Sequence, residues 1–247
     1  MQDAVQRIAP DRPTYGMRRM AAQISREMGR PVNRKAVCRI FKRLGWTMPA
    51  RTKREIIWSN RRVPRSDGSG RFWESDMSYL WCGADGWCYC FNVIDVFTRQ
   101  WLAFVLEDRA TRHGAIMAVN NAVAAARPPP GLTLRVDNGS QYTSRDFRQS
   151  VSALGIKLEY IYVNTPEQNG PIESFHKTLK KEYVWPREFA SLEDAKEAMR
   201  EAFEDYNSKR IHSALGYATP SEFAWMWQQG GECRPRDKHT IGGEKCA

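Results

Sequence analysis

The chain has no long apolar run. No stretch approaches the ~20 residues that a membrane-spanning helix requires, and the opening MQDAVQRIAPDRPTYG holds no hydrophobic signal core. A membrane partner is therefore excluded at this stage, and a cytoplasmic location is expected. Cysteine is scattered: Cys38, Cys82, Cys88, Cys90, Cys233 and Cys246 follow no disulfide framework spacing, so free thiols in a reducing compartment are expected. Residues 1–71 contain no histidine and one cysteine, which excludes a His/Cys zinc site there. Acids are also scarce in that segment. It carries 18 Lys/Arg against 5 Asp/Glu, a net of +13, while the remainder carries 20 against 23, a net of −3; the sum is the chain's +10.

A concentrated basic segment is the footprint of a polyanion binder, because each Lys or Arg that meets a phosphate releases condensed counterions. Met17, Met20, Ile24 and Met28 recur at i, i+3, i+7 and i+11, the pattern of an amphipathic helix broken by Gly29-Arg30-Pro31. Asn33 is a good N-cap for a second helix from Arg34 to Leu44, stopped by Gly45. Val37, Ile40, Phe41 and Leu44 share one face of it, and Arg34, Lys35, Arg39, Lys42 and Arg43 occupy the rest. Two short helices around a tight turn, the second strongly basic, fit a helix-turn-helix that binds DNA. Two helices cannot bury a core alone, so a third helix or a partner is expected. We assign residues 1–48 to this segment and residues 49–71, with Pro49, Pro64 and SDGSGR, to a basic linker lying along DNA.

From Phe72 the composition changes. RFWESDMSYLWC, GWCYCFNVIDVFT and QWLAFVLED are rich in aromatic and β-branched residues and are separated by turn signals, so they read as three antiparallel strands. A Thr111-capped helix (111–126), a short strand LTLRV (132–136), a Ser-capped helix (144–155), a strand (156–161) and helices over 171–183 and 191–207 follow. Three strands followed by α-β-α-β-α is the order of an α/β, ribonuclease-H-like mixed sheet with flanking helices. This unit is assigned to 72–228, and the Gly-rich, charged tail 229–247 is expected to be disordered.

Three acids invite chemistry. Asp76 lies inside the first strand, where a carboxylate is costly unless it is paired or holds a cation. Asp137 follows LTLRV directly, at the strand end where open α/β sheets place their sites. Glu173 opens a helix behind Pro171, where the helix dipole favours an anion. Each has a structural alternative: an arginine partner, an Asp-Asn-Gly turn, a helix-start acid. Together they are more specific, because the fourth strand of such a sheet lies beside the central first strand and a later helix can bring its N-terminal part across that point. Three carboxylates favour hard cations, Mg²⁺ or Mn²⁺, and two such ions clamp the attacking and leaving oxygens of a phosphodiester displacement.

The segments WESDMSYL, DNGSQY, PEQNGPIESFHKTLKKE and YNSKRIHSALGYATPSEF resemble the DDE transposases of the insertion sequence 3 family and, more distantly, retroviral integrases. The 35 residues between Asp137 and Glu173 match that family's spacing, and Lys180 matches its basic residue seven positions after the glutamate. The likeness spans residues 14–223. It implies Asp76, Asp137 and Glu173 as catalytic metal ligands, with Lys180, Lys177, Asn138 and Asn169 contacting or orienting DNA. It further implies end cleavage and strand transfer by direct transesterification through a branched or circular intermediate. The expected partners are element ends and target DNA, a homo-oligomer formed on DNA, and an upstream helix-turn-helix and leucine-zipper product joined by frameshifting; the protein would be nucleoid-associated. Arg135 stands where the family often has His, which suggests altered DNA contacts. Two alternatives remain: a nuclease of the same sheet without strand transfer, and an inactive DNA-binding remnant.

The lesser signals have plainer readings. Cys82, Cys88 and Cys90 lack paired zinc spacing and read as core. His176 is a candidate to line the site, His212 a packing residue, and the Trp225-Met226-Trp227 cluster a core closure. Asp85, Asp95, Glu107 and Asp108 read as structural acids, and Glu167 as a surface loop acid.

Overall fold

Strand β1 (Phe72–Trp81) is the middle of a five-stranded sheet, with β2 (Trp87–Asp95) and β3 (Trp101–Glu107) antiparallel on one side of it and β4 (Thr133–Val136) and β5 (Lys157–Tyr160) parallel on the other, giving the order β3-β2-β1-β4-β5. This is the ribonuclease-H-like arrangement expected from the strand order. The computed structural model describes residues 1–47, 66–162 and 166–230, without the side chains of Pro166 and Glu167. Most of the basic linker, the tail beyond Gly230 with Cys233 and Cys246, and the side chain of Glu167 lie outside the described residues.

Side chains alternate across a strand, and the two faces are covered differently. One face packs Leu80, Cys82, Cys88, Cys90 and Ile94 against α7 (Gly170–Leu179) and α8 (Leu192–Ser208). The three hairpin cysteines are core residues, as expected, and Cys38, Cys82, Cys88 and Cys90 are free thiols. The other face packs Trp73, Phe91 and Val93 under α4 (Arg112–Ala126) and α6 (Arg145–Ala153), with the short α5 (Ser140–Thr143) between. Gly114 lets α4 approach closely: a Cβ there would lie 2.5 Å from the Phe91 ring. Thr111, Ser144 and Ser191 cap their helices by accepting backbone N–H bonds.

The basic segment is a three-helix unit. To α2 (Met17–Met28) and α3 (Arg34–Arg43) it adds α1 (Gln2–Ile8), which periodicity over seven residues did not reveal. Val5 and Ile8 join Met20, Ile24, Val37, Ile40 and Phe41 in one cluster, completed by Ile211 from the far end of the chain. Arg12 is paired with Asp205 through two hydrogen bonds of 2.6 and 2.8 Å, and Arg26 with Glu222. The required extra packing thus comes from both a third helix and the C-terminal part of the chain.

Two elements differ from expectation. The helix assigned to 171–183 ends at Leu179, and Lys180–Val184 form a π-helical turn, in which the Trp185 N–H donates to the Lys180 carbonyl at 2.7 Å. A final helix, α9 (Pro220–Gln228), begins with a complete Thr219/Glu222 capping box. Met226 and Trp227 pack against Phe97 and Phe223, as a core closure should, whereas Trp225 is exposed.

Candidate active site

The parallel register of β1 and β4 pairs Phe72 with Thr133 and Glu74 with Arg135. Two residues further along, the same offset sets Asp76 level with Asp137. The pairing itself stops at Glu74 and β4 at Val136, so Asp137 lies just past the strand end, close enough for its charge to act on Asp76. Glu173 arrives in the first turn of α7.

Asp76 registers the convergence. Its carboxyl is pushed up to about 7, first by burial, then by the charge of Asp137 and also by Glu173; the Met77 N–H, at 2.8 Å, and Lys180 oppose the shift. Asp137 also takes its turn role, accepting the Gly139 N–H at 2.9 Å. Glu173 is more exposed than Asp76 and pairs with Lys177 at 3.7 Å. Among the described residues, no three acid, His or Cys side chains are gathered tightly enough to enclose a metal ion. The donor set is nonetheless that of a hard cation: oxygen ligands, with a buried acid held among like charges.

A second, buried layer lies beneath the carboxylates. Glu74 is two residues before Asp76, and Arg135 is two residues before Asp137, so each shares its neighbour's strand face. Both are fully buried. Glu74 Oε2 accepts the Ile172 backbone N–H at 2.9 Å. Arg135 Nη1 donates to the Gln168 carbonyl at 2.7 Å and lies 3.8 Å from Glu74, while Nη2 donates to Glu159 at 2.8 Å. The guanidinium is capped by the Phe72 ring at 4.6 Å. Burial, only partly offset by Ile172 and Arg135, raises the Glu74 carboxyl to about 7. Arg135 therefore does not face DNA, contrary to the expectation from sequence. It points inward and ties the approach to α7 onto the strands that carry Asp76 and Asp137.

His176 does line the site. Its Nδ1 lies 3.5 Å from Asp76 Oδ2 and its Nε2 lies 3.3 Å from the Asn92 amide on β2. Burial, then Lys180, holds the ring down to about 4, so it is neutral at pH 7. Lys180 sits over the Tyr79 ring, 4.4 Å from its centroid. Asn138 is exposed and donates to the Ile161 carbonyl, whereas Asn169 is buried with an unpartnered Oδ1, a placement that suits orienting α7 rather than touching DNA. Arg34, Lys35, Arg39, Lys42 and Arg43 are all exposed on α3.

Asp95 and Asp85 hold backbone in place. Asp95 accepts backbone N–H bonds from Gly70, Phe97 and Thr98, and Asp85 accepts that of Leu192. Glu182 is committed to Arg210 at 2.7 Å and to Arg19 at 3.3 Å. His212 packs edge-on against Tyr206.

Comparison with known proteins agrees with this geometry. An integrase core domain family matches residues 66–166, a second integrase core domain family matches 154–220, and an HTH-like domain family matches 1–54. The chain is 30% identical to the insertion element IS600 31 kDa protein of Shigella sonnei, over 88% of this chain and 84% of that one. It is 31% identical to the transposase InsD of insertion element IS2 of Escherichia coli, over 85% and 73%. In fold it resembles a chain of the simian T-cell lymphotropic virus intasome in complex with PP2A regulatory subunit B56 gamma, with a TM-score of 0.57 at 15% identity over 98% of this chain and 80% of that one. The HTLV-2 integrase catalytic core in complex with magnesium superimposes with a TM-score of 0.52 at 17% identity, over 65% and 99%. With its integrase core, its HTH-like segment and these relatives, the chain belongs to the insertion sequence 3 family of DDE transposases.

Proposed function

We propose that Asp76, Asp137 and Glu173 are the catalytic carboxylates of this transposase and that together they hold two divalent cations, Mg²⁺ or Mn²⁺. The observation that carries this reading is the convergence of the three acids on Asp76, whose carboxyl is raised to about 7 first by burial and then by the charges of Asp137 and Glu173. When bound, the ions supply Lewis-acid polarisation of the phosphodiester and of the attacking oxygen. The remaining work falls to the chain. Lys177, on the helix that carries Glu173, and Lys180, in the π-helical turn that follows it, are the cations that would hold the flanking phosphates. Glu74 and Arg135 fix the start of α7 against β1 and β4. His176, braced by Asn92, fixes the Asp76 carboxylate. Water attacks at the element's end and frees a 3′-hydroxyl. That hydroxyl then attacks a second phosphodiester, one P–O ester bond forming as another breaks, with no covalent protein intermediate.

The division of labour follows the charge. Residues 1–48 bind DNA through the exposed face of α3, and 72–228 cut and join. Assembly on DNA as a homo-oligomer, and fusion to an upstream helix-turn-helix and leucine-zipper product by frameshifting, belong to the same reading. The test is nicking of supercoiled plasmid by the purified chain with Mn²⁺ and with chelator, beside Asp137→Asn and Glu173→Gln. A parallel strand-transfer assay uses an oligonucleotide pre-cut at the element's end. Metal-dependent nicking and joining, lost in both variants, is the expected result. Equal activity in all three proteins would overturn the assignment, and nicking without joining would mark a nuclease.

A further inference from the structure

The β1–β2 hairpin has one covered face and one bare face. Leu80, Cys82, Cys88 and Cys90 are buried under α7 and α8. On the opposite face the register sets Trp81 against Trp87 and Tyr79 against Tyr89, beyond the cover that α4 gives to Trp73 and Phe91. Tyr79, Trp81 and Trp87 are 54%, 54% and 53% exposed. Contiguous exposed aromatic surface of this kind marks an interaction site. The rings are braced edge to face, Trp87 at 5.3 Å from Tyr79 and 5.5 Å from Trp81, so their orientation is set.

The patch is continuous with the carboxylates. Among the described residues, β4 pairs with β1 only from Phe72 to Glu74, so the strand edge beyond is open. Lys180, seven positions after Glu173, reaches that edge and lies over the Tyr79 ring at 4.4 Å. At ~3.3 Å per strand residue, Tyr79 stands ~10 Å from Asp76, about three base-pair rises of DNA. A strand cut at the carboxylates would reach this edge within about three nucleotides, where Lys180 offers its phosphates a cation. Paired bases present no open ring face to a flat aromatic surface. Unpaired bases do, and stacking on aromatic rings is the general means of holding them.

We propose that Tyr79, Trp81 and Trp87 form a stacking platform for unpaired DNA bases next to the scissile phosphodiester. This rests on the reading of Asp76, Asp137 and Glu173 as the DNA-cutting centre. The test measures binding of the full chain, by fluorescence anisotropy, to an oligothymidylate of about 20 nucleotides and to a duplex of equal length. Trp81→Ala/Trp87→Ala should weaken oligothymidylate binding about tenfold or more and duplex binding less than about twofold, with Trp81→Phe/Trp87→Phe restoring it. Equal loss on both probes, or no loss, overturns the proposal. So does a variant that turns a dimer into a monomer in sedimentation while oligothymidylate binding is unchanged, which would make the patch a contact between copies. In case the alanine variant fails to fold, the wild-type chain is also photocross-linked to an oligothymidylate carrying 5-iodouracil. Adducts on Tyr79, Trp81 or Trp87 support the platform, and adducts confined to other residues overturn it. Plasmid nicking, read separately, distinguishes failure of the platform from failure of the cutting centre.

Discussion

Arg135 Nη1 donates to the backbone carbonyl of Gln168 at 2.7 Å, so a fully buried guanidinium on β4 holds the residue that leads into α7. Its neighbours Glu74 and Glu159 supply the charge. Removing one partner of a buried ion pair strands the other, at a cost of about 3–5 kcal/mol. Arg135→Met should therefore lower stability by about that amount in urea unfolding. Adding Glu74→Gln, which keeps an acceptor for Ile172 but removes the charge, should recover a large part. Strictly additive losses would show that the two side chains are not coupled.

Asp76→Asn should stabilise the metal-free protein. A raised carboxyl is disfavoured in its charged form by the fold, so the cost grows as pH climbs from the unfolded value near 4 to the folded value of about 7 and is complete above it. The gain should be up to about 4 kcal/mol at pH 8 and vanish below pH 4. Thermal melting across that range checks it. Mn²⁺ should raise the melting temperature of the wild type and leave the variant unmoved.

Acid should loosen the N-terminal helices. Asp205, Glu182 and Glu222 all titrate below their ordinary range despite burial, because Arg12, Arg210 and Arg26 hold them. A depressed carboxyl stabilises the fold fully above its unfolded pKa and loses that contribution as pH falls through the folded one. Melting temperature should thus drop below about pH 4, and Asp205→Asn should drop less, having already lost its pair at pH 7.

Gly114→Ala should cost about 1–3 kcal/mol, the usual penalty for overpacking. The added methyl meets Phe91 at 2.5 Å and Glu107 at 2.7 Å. Denaturant unfolding reads the loss, and a neutral result would mean that α4 can lift from β2 without penalty.

Local signals were legible in the sequence. Asn33, Thr111, Ser144 and Ser191 announce their helices because a cap needs only residues two or three positions away. The order of the strands, and with it the pairing of Asp76 with Asp137, followed from chain connectivity. Helix α1 was not legible, because seven residues carry too little periodicity and its stability comes from Ile24, Val37 and Ile211. Arg135 was misread because a basic residue beside an acid looks like a surface contact. Parity held the correct answer: two residues from Asp137 on one strand, it must share that inward face. The capping box Thr219-Pro-Ser-Glu222 also stood in plain sight ahead of α9. The π-helical turn at Lys180 has no such signature in the sequence.

Because the segment from Gln168 to Glu173 answers both Glu74 and Arg135, the order of synthesis matters. A nascent chain released between Ile161 and Glu167 owns two of its three acids and all five strands, yet its buried glutamate and arginine have no backbone to receive them. Such a fragment lacks Glu173 and has little to keep its interior closed, so premature termination there should leave a chain open to proteolysis.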